Sequence, residues 1–179
     1  MVSGIKIKDN RVDRLIKNSG FNPDKFRIYY SPITIIWYDF ILLVLVSGII
    51  LVIYQTLISM LIYLPVYSII TYSLGAKLNN SVAVSDKLII IVNPNFPFRK
   101  ILVYYVDNID FIEIKHSLFR FLMWPFFIFT GNNINISSKG KYERYYCTSL
   151  ELNVYDENFT KLDLDDLISH LRRLGIYKI

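Results

Sequence analysis

The residues that could carry out chemistry are few, and they lie far apart in the sequence. The chain has one cysteine, Cys147, and two histidines, His116 and His170. A nucleophilic thiolate needs a histidine or another activating group beside it, and neither histidine is close to Cys147 in the sequence. Cys147 is therefore predicted to be a small buried side chain. A single cysteine forms no internal disulfide, which fits a reducing compartment.

Other patterns typical of enzymes are missing from the sequence. It has no His and Glu at the spacing of a zinc site, no glycine-rich phosphate loop and no Gly-x-Ser-x-Gly motif. Asp163, Asp165 and Asp166 form an acidic group, but a helix N-cap and the positive first turn of a helix explain it better than a metal site does. We therefore expect a protein that is not an enzyme, with no catalytic residue, no metal site and no cofactor.

Hydrophobic residues make up 53% of the 179 residues, and they are concentrated in one run. Residues 40–76 contain no charged side chain and no histidine. As one helix this run would be about 56 Å long, nearly twice the roughly 30 Å hydrocarbon core of a bilayer. The polar residues 54–56 favour a break, with spans at 33–54 and 57–75. The sequence therefore predicts a transmembrane helical hairpin within residues 32–76.

Asp39 is the candidate intramembrane polar residue, at the beginning of the first predicted span. A position among the lipid headgroups is expected, because the apolar run contains no second charge that could pair with it. A proton or ion site is the alternative.

The positive charge lies mainly ahead of the hairpin. Residues 1–38 hold seven lysines and arginines against three aspartates, whereas the rest of the chain is close to neutral. The positive-inside rule then predicts a multi-pass protein of the bacterial cytoplasmic (inner) membrane, with both termini in the cytoplasm. Charge in this position does not predict nucleic acid as a partner. Residues 1–31 are predicted to be a basic amphipathic juxtamembrane arm, whose apolar face lies on lipid or packs on the soluble domain.

Beyond Gly75 the apolar residues alternate with polar ones, a pattern typical of strands. Leucines and isoleucines spaced by three and four residues predict a final helix over 163–174, with Asp163 as its N-cap and Gly175 as its stop. The predicted strands are 82–84, 88–92, 101–105, 109–114, 134–136, 142–147 and 150–154.

Two short segments carry a resemblance to a known family. The sequences VSDKLII at 84–90 and VDNIDFI at 106–112, after a membrane hairpin, resemble the bacterial pleckstrin-homology-like (PH-like) domains that follow one or two transmembrane helices. The resemblance covers about residues 77–179. It implies an α+β membrane protein, in which a two-helix transmembrane hairpin precedes a PH-like bent antiparallel β-sheet or barrel closed by the C-terminal helix. Only Lys87 lies between the first two strands, so phosphoinositide binding is not implied.

Residues 119–129 are apolar at ten of eleven positions, too few to span a bilayer, and Pro125 interrupts them. Three interpretations stay open: a loop at the membrane interface, a docking surface for a partner and a buried core strand. The candidate membrane or partner contacts are Phe119, Phe121, Met123, Trp124, Phe126 and Phe127.

Together these features predict a non-catalytic integral membrane accessory or scaffold protein. Its PH-like domain would mediate protein–protein or lipid-surface contacts, with membrane lipid and a membrane protein complex or a second copy of the chain as partners. One alternative is a two-helix, β-rich anti-phage effector that senses a cyclic nucleotide and oligomerises in the inner membrane. Another is a transporter or enzyme subunit that uses Asp39.

Overall fold

The computed structural model describes residues 10–30, 79–120, 128–147 and 157–178, together with isolated positions between 48 and 77. The described part contains two α-helices and seven strands, and short 3-10 helices at Pro23–Lys25 and Val106–Asn108. In chain order the elements are α1 (Asn10–Asn18), β1 (Arg27–Tyr29), β2 (Ser81–Val84), β3 (Leu88–Asn93), β4 (Lys100–Tyr105), β5 (Ile109–Arg120), β6 (Ile128–Ser138), β7 (Lys141–Cys147) and α2 (Glu157–Arg173).

The strands form two antiparallel sheets. Sheet A has the order β1-β2-β3-β4, and sheet B has the order β5-β6-β7. Although residues 30–80 separate β1 from β2 in the sequence, the two strands are neighbours, with Arg27 opposite Val84 and Tyr29 opposite Val82. The chain therefore leaves sheet A after Tyr29 and returns to the same end of that sheet at Ser81.

The main core lies between the two sheets and the C-terminal helix. Side chains alternate between the faces of a strand, so Ile89 and Ile91 of β3 point into this core. Ile134 and Ile136 enter it from sheet B, and α2 adds buried leucines. The buried members of this cluster are Tyr29, Val82, Val84, Ile89, Ile91, Ile109, Ile112, Ile134, Ile136, Tyr145, Cys147, Leu167, Leu171 and Ile176.

Helix α1 covers the other face of sheet A. Val12 and Ile16 are fully buried, in a cluster that includes Ile90 and Val92 of β3. Of the two positions left open for the amphipathic N-terminal helix, the structure has the one in which the helix packs on the β domain. Sheet A is thus covered on both faces, which explains why every residue of β2 is buried.

The C-terminal residues hold α2 in place. Gly175, at a φ of 72°, ends the helix as predicted. The chain then runs along β5, where the Ile112 N–H donates to the Ile176 carbonyl at 2.6 Å and the Lys178 N–H donates to the Ile112 carbonyl at 2.8 Å. Since backbone hydrogen bonds attach the tail to sheet B, the last turns of α2 have a fixed position against both sheets.

Most of the predicted strands are confirmed. The strands over 82–84, 88–92, 101–105 and 109–114 lie within β2, β3, β4 and β5. The turn between β6 and β7 has positive φ at Lys139 and Gly140, as a tight hairpin requires. The predicted strand over 150–154 lies outside the described residues.

The predicted start of the last helix is wrong. Helix α2 begins at Glu157, so Asp163 lies inside the helix and does not cap it. Asp163 precedes the first leucine of the periodic stripe, and that pattern resembles a helix start although the helix continues toward the N-terminus.

The structure contradicts the predicted α+β membrane fold with its two-helix transmembrane hairpin. Neither helix in the part of the chain that the structure describes is both long enough and apolar enough to cross a membrane. Helix α1 has nine residues, or about 14 Å, and α2 has 17 residues, or about 26 Å, with charged side chains along its length. The spans 33–54 and 57–75 lie outside the described residues, apart from isolated positions. The predicted multi-pass localisation in the bacterial inner membrane depended on this hairpin and is contradicted together with it.

The prediction of a single bent sheet or barrel is also wrong. The described strands form two open sheets, because β4 pairs with β3 and β5 pairs with β6. The 3-10 helix Val106–Asn108 lies between β4 and β5 and turns the chain away from sheet A. Asp107 and Asn108 therefore lie where the chain passes from sheet A to sheet B.

Candidate functional site

A groove of about 1090 Å³ opens beside β1, at the end of sheet A that carries the turn between β2 and β3. We call it the β1 groove. It is lined by residues 20–28 and Tyr30, by residues 84–88, by Asp13 of α1 and by His170 of α2. Three parts of the chain that are distant in the sequence therefore meet at this site: residues 13–30, residues 84–88 and His170.

One wall of the groove is the ordered segment between α1 and β1. Gly20, at a φ of 87°, ends α1. The Asn22 side chain accepts a hydrogen bond from the Asp24 N–H at 3.1 Å and caps the short 3-10 helix. The rings of Phe21 and Phe26 meet edge to face, with centroids 6.1 Å apart. Local capping and ring packing thus fix the shape of this wall.

Strand β1 is an edge strand, and side chains on both sides hold it in position. Within the described residues it pairs with β2 alone. Arg27 Nε lies 2.6 Å from Asp166 Oδ2, and the Tyr29 hydroxyl donates to the same carboxylate at 2.7 Å. The Tyr30 hydroxyl donates to Asp13 Oδ1 at 2.6 Å. Strand β1 is therefore tied to α2 through Asp166, and Tyr30, the residue after the strand, is tied to α1 through Asp13.

The charges that line the groove are balanced. The acidic residues Asp13, Asp24 and Asp86 face the basic residues Lys25, Arg27 and Lys87 within one lining. Apolar side chains, among them Phe21, Phe26 and Ile28, complete it. A surface with paired signs and apolar patches suits a ligand that combines polar and apolar groups.

His170 is the titratable residue that reaches the groove from α2. It is 9% exposed, and its Nδ1 has no hydrogen-bond partner among the described residues. Burial lowers the pKa of His170, and Arg173 and Arg27 lower it further, against the opposite effect of Asp86 and Asp166. The imidazole is therefore neutral at neutral pH.

The described lining of the groove includes none of the candidate site residues that the sequence singled out. The side chains of Phe119, Phe121, Met123, Trp124, Phe126 and Phe127 lie outside the described residues, as do Asp39 and the side chain of His116. Asp166, explained from the sequence as part of a helix terminus, is instead the carboxylate that ties β1 to α2.

Cys147 is fully buried, as predicted. Desolvation raises the pKa of its thiol to about 12, so the thiol stays protonated and is a poor nucleophile. Among the described residues, no group of three or more His, Cys, Asp and Glu side chains could hold a metal ion.

A second cluster of titratable groups joins the two sheets. Glu143 of β7 accepts hydrogen bonds from the hydroxyls of Tyr104 on β4 and Tyr145 on β7, and the two hydroxyls also contact each other. Lys100 lies over the Tyr145 ring, 5.1 Å from its centroid. Burial, and then the hydrogen bond to Glu143, raise the pKa of Tyr104 to about 12. We call Tyr104, Glu143 and Tyr145 the tyrosine clamp.

The tyrosine clamp is expected to weaken in acid. The hydrogen bonds from Tyr104 and Tyr145 lower the pKa of Glu143. A carboxyl whose pKa is lowered by folding stabilises the fold above its unfolded value of about 4.3, and that contribution disappears as the pH falls through the folded value. Melting temperatures measured between about pH 6 and pH 3 should show wild type more stable than Glu143→Gln at the upper end and the two converging at the lower end. A difference that is the same at every pH would contradict this role.

Comparison of the chain with protein-family models, with curated proteins and with solved structures finds no match in any of the three.

Proposed function

We propose that this chain is a non-catalytic protein-interaction module that holds an extended segment of a partner protein in the β1 groove. The observation that carries the proposal is the position of the groove, which runs beside β1, the strand at the edge of sheet A among the strands that the structure describes. An edge strand presents backbone N–H and C=O groups to an added strand, while side-chain pockets beside it give specificity.

The size of the groove is sufficient for a short polypeptide segment. Its volume of about 1090 Å³ lies at the upper end of the roughly 300–1,000 Å³ that is usual for small-ligand pockets. Strand β1 has three residues, enough to pair with a short extended segment and not with a long one. The expected partner segment is therefore short, with its remaining side chains against the walls.

The balanced charge of the groove also favours a polypeptide. A cyclic nucleotide or another polyanion needs an excess of basic groups, whereas Lys25, Arg27 and Lys87 share the lining with three aspartates. A peptide that combines charged and apolar side chains matches such a lining.

The groove is largely formed before binding. Strand β1 is bonded to α2 and the following Tyr30 to α1, and the Asn22 cap and the Phe21–Phe26 pair hold the opposite wall. A preformed site loses little conformational entropy on binding, so more of the contact energy remains as affinity. The resemblance of residues 77–179 to PH-like domains stays a prediction, and this proposal rests on the groove alone.

Selection from a library of random dodecapeptides tests the proposal. The full 179-residue chain is the bait, and selected peptides are then titrated against wild type and Asp86→Trp. Asp86 is exposed and lines the groove, so an indole at this position fills space that the peptide needs. We expect binding to Asp86→Trp to be at least about tenfold weaker, or about 1.4 kcal/mol.

Asp107→Trp is the matched control, because Asp107 is also an exposed aspartate in a short connection but does not line the groove. Its affinity for the selected peptides is expected to equal that of wild type. Selected peptides that bind Asp86→Trp and wild type equally well would place their site elsewhere and would refute the proposed function.

A further inference from the structure

His170 has an unusual environment for a residue that reaches a binding groove. Its side chain, on α2, is about nine-tenths buried, and it also contributes to the lining of the β1 groove. The charged groups that act on it come from three elements: Arg173 and Asp166 from α2, Arg27 from β1 and Asp86 from the turn between β2 and β3. None of the hydrogen bonds that fix the groove walls uses this imidazole.

The buried Nδ1 determines which nitrogen carries the proton. A neutral imidazole has one N–H donor and one acceptor nitrogen. Nδ1 is shielded from solvent and has no partner within the described residues. Buried N–H groups without an acceptor are rarer than buried acceptors without a donor, so the proton is expected on Nε2. Nε2 then carries the one N–H donor of the ring, and none of the hydrogen bonds among the described residues uses it.

We infer that His170 anchors the bound segment in the groove, by donating a hydrogen bond from Nε2 to a carbonyl or carboxylate oxygen of that segment. This inference rests on the proposed function, since it names the group of the peptide that the groove recognises. Arg27 donates to Asp166 through Nε, and its other N–H groups belong to a charged guanidinium, whereas the neutral ring of His170 has a single N–H donor. His170 therefore provides the directional polar contact at a site where the other charges are balanced.

Two substitutions separate the donor from the shape of the side chain. His170→Gln keeps an N–H donor near the position of Nε2, whereas His170→Met keeps a side chain of similar length without one. Peptides selected on wild type are expected to bind His170→Met about threefold to tenfold more weakly, as the loss of one hydrogen bond predicts. His170→Gln is expected to recover most of that loss. Melting temperatures of both variants show whether they are folded.

Nitrogen-15 NMR of histidine tests the same inference without any substitution of His170. The chain has two histidines, so a His116→Gln sample assigns the signals. We expect free His170 to be neutral with its proton on Nε2, and we expect that proton to exchange more slowly with water when a selected peptide is added.

The outcomes distinguish this inference from the function on which it rests. If no peptide is selected at the groove, the proposed function and the inference about His170 are both refuted. If selected peptides bind at the groove while His170→Met binds them as wild type does, the function stands and the inference is overturned. A proton on Nδ1 in the free protein also overturns the inference.

Discussion

Replacing Leu167 with alanine is expected to lower the free energy of unfolding by about 2–5 kcal/mol. Leu167 is fully buried in the core that sheets A and B share with α2. Removing its side chain exchanges packed contacts for a cavity, which the surrounding strands fill only in part. Because domains of this size are stable by about 5–15 kcal/mol, the loss is a large fraction of the total. Urea denaturation followed by circular dichroism measures it.

Ser169→Ala on the same helix is the matched control. Ser169 is exposed, and its hydroxyl donates to the Asp165 carbonyl at 2.7 Å without contact to the core. Its substitution is expected to change the free energy of unfolding by no more than about 0.5 kcal/mol. Equal effects of the two alanines would mean that α2 does not close the core.

Ile16→Ala is the second substitution with a large expected effect, also about 2–5 kcal/mol of unfolding free energy. Ile16 is fully buried against the outer face of sheet A. The result tests whether α1 is an integral layer of the fold. If α1 rested only on an external surface, the substitution would not lower the free energy of unfolding by this amount.

Arg14→Ala is its control, because Arg14 lies on the exposed side of the same helix. Its effect is expected to be within about 0.5 kcal/mol. If Ile16→Ala were as mild as Arg14→Ala, α1 would not contribute to the stability of the fold, and the wall of the β1 groove that follows it would lack its support.

The strands could be predicted because their signal is local. Alternation in 101–105 and the two positive-φ residues of the turn at 139–140 depend on neighbouring residues alone. Leu88 to Val92 is apolar without alternation. The reason is visible only in the fold, where α1 covers one face of β3 and sheet B with α2 covers the other.

The prediction of a membrane hairpin was wrong, and it too rested on local properties of the sequence. Length and the absence of charge are properties of a stretch of sequence, and they do not specify the structure that the stretch adopts. The start of α2 shows the same limit, because Asp163 has the form of an N-cap but lies inside the helix. The end of α2 was predictable because Gly175 adopts a backbone conformation that most residues avoid.

The β1 groove could not be predicted from the sequence. Its lining combines residues 20–28, 84–88 and His170, which only the pairing of β1 with β2 and the docking of α2 bring together. The ion pair of Arg27 with Asp166 joins residues that are far apart in the chain. The strands predicted at 82–84 and 88–92 leave residues 85–87 as their connection, but its position opposite the segment before β1 could not be read from the sequence.

Backbone hydrogen exchange, with and without a selected peptide, tests the central claim most directly. If a partner segment binds in the β1 groove, exchange should slow in residues 20–30 and 84–88 and stay unchanged over β5, β6 and β7. Protection over sheet B, with none in those two segments, would contradict the account.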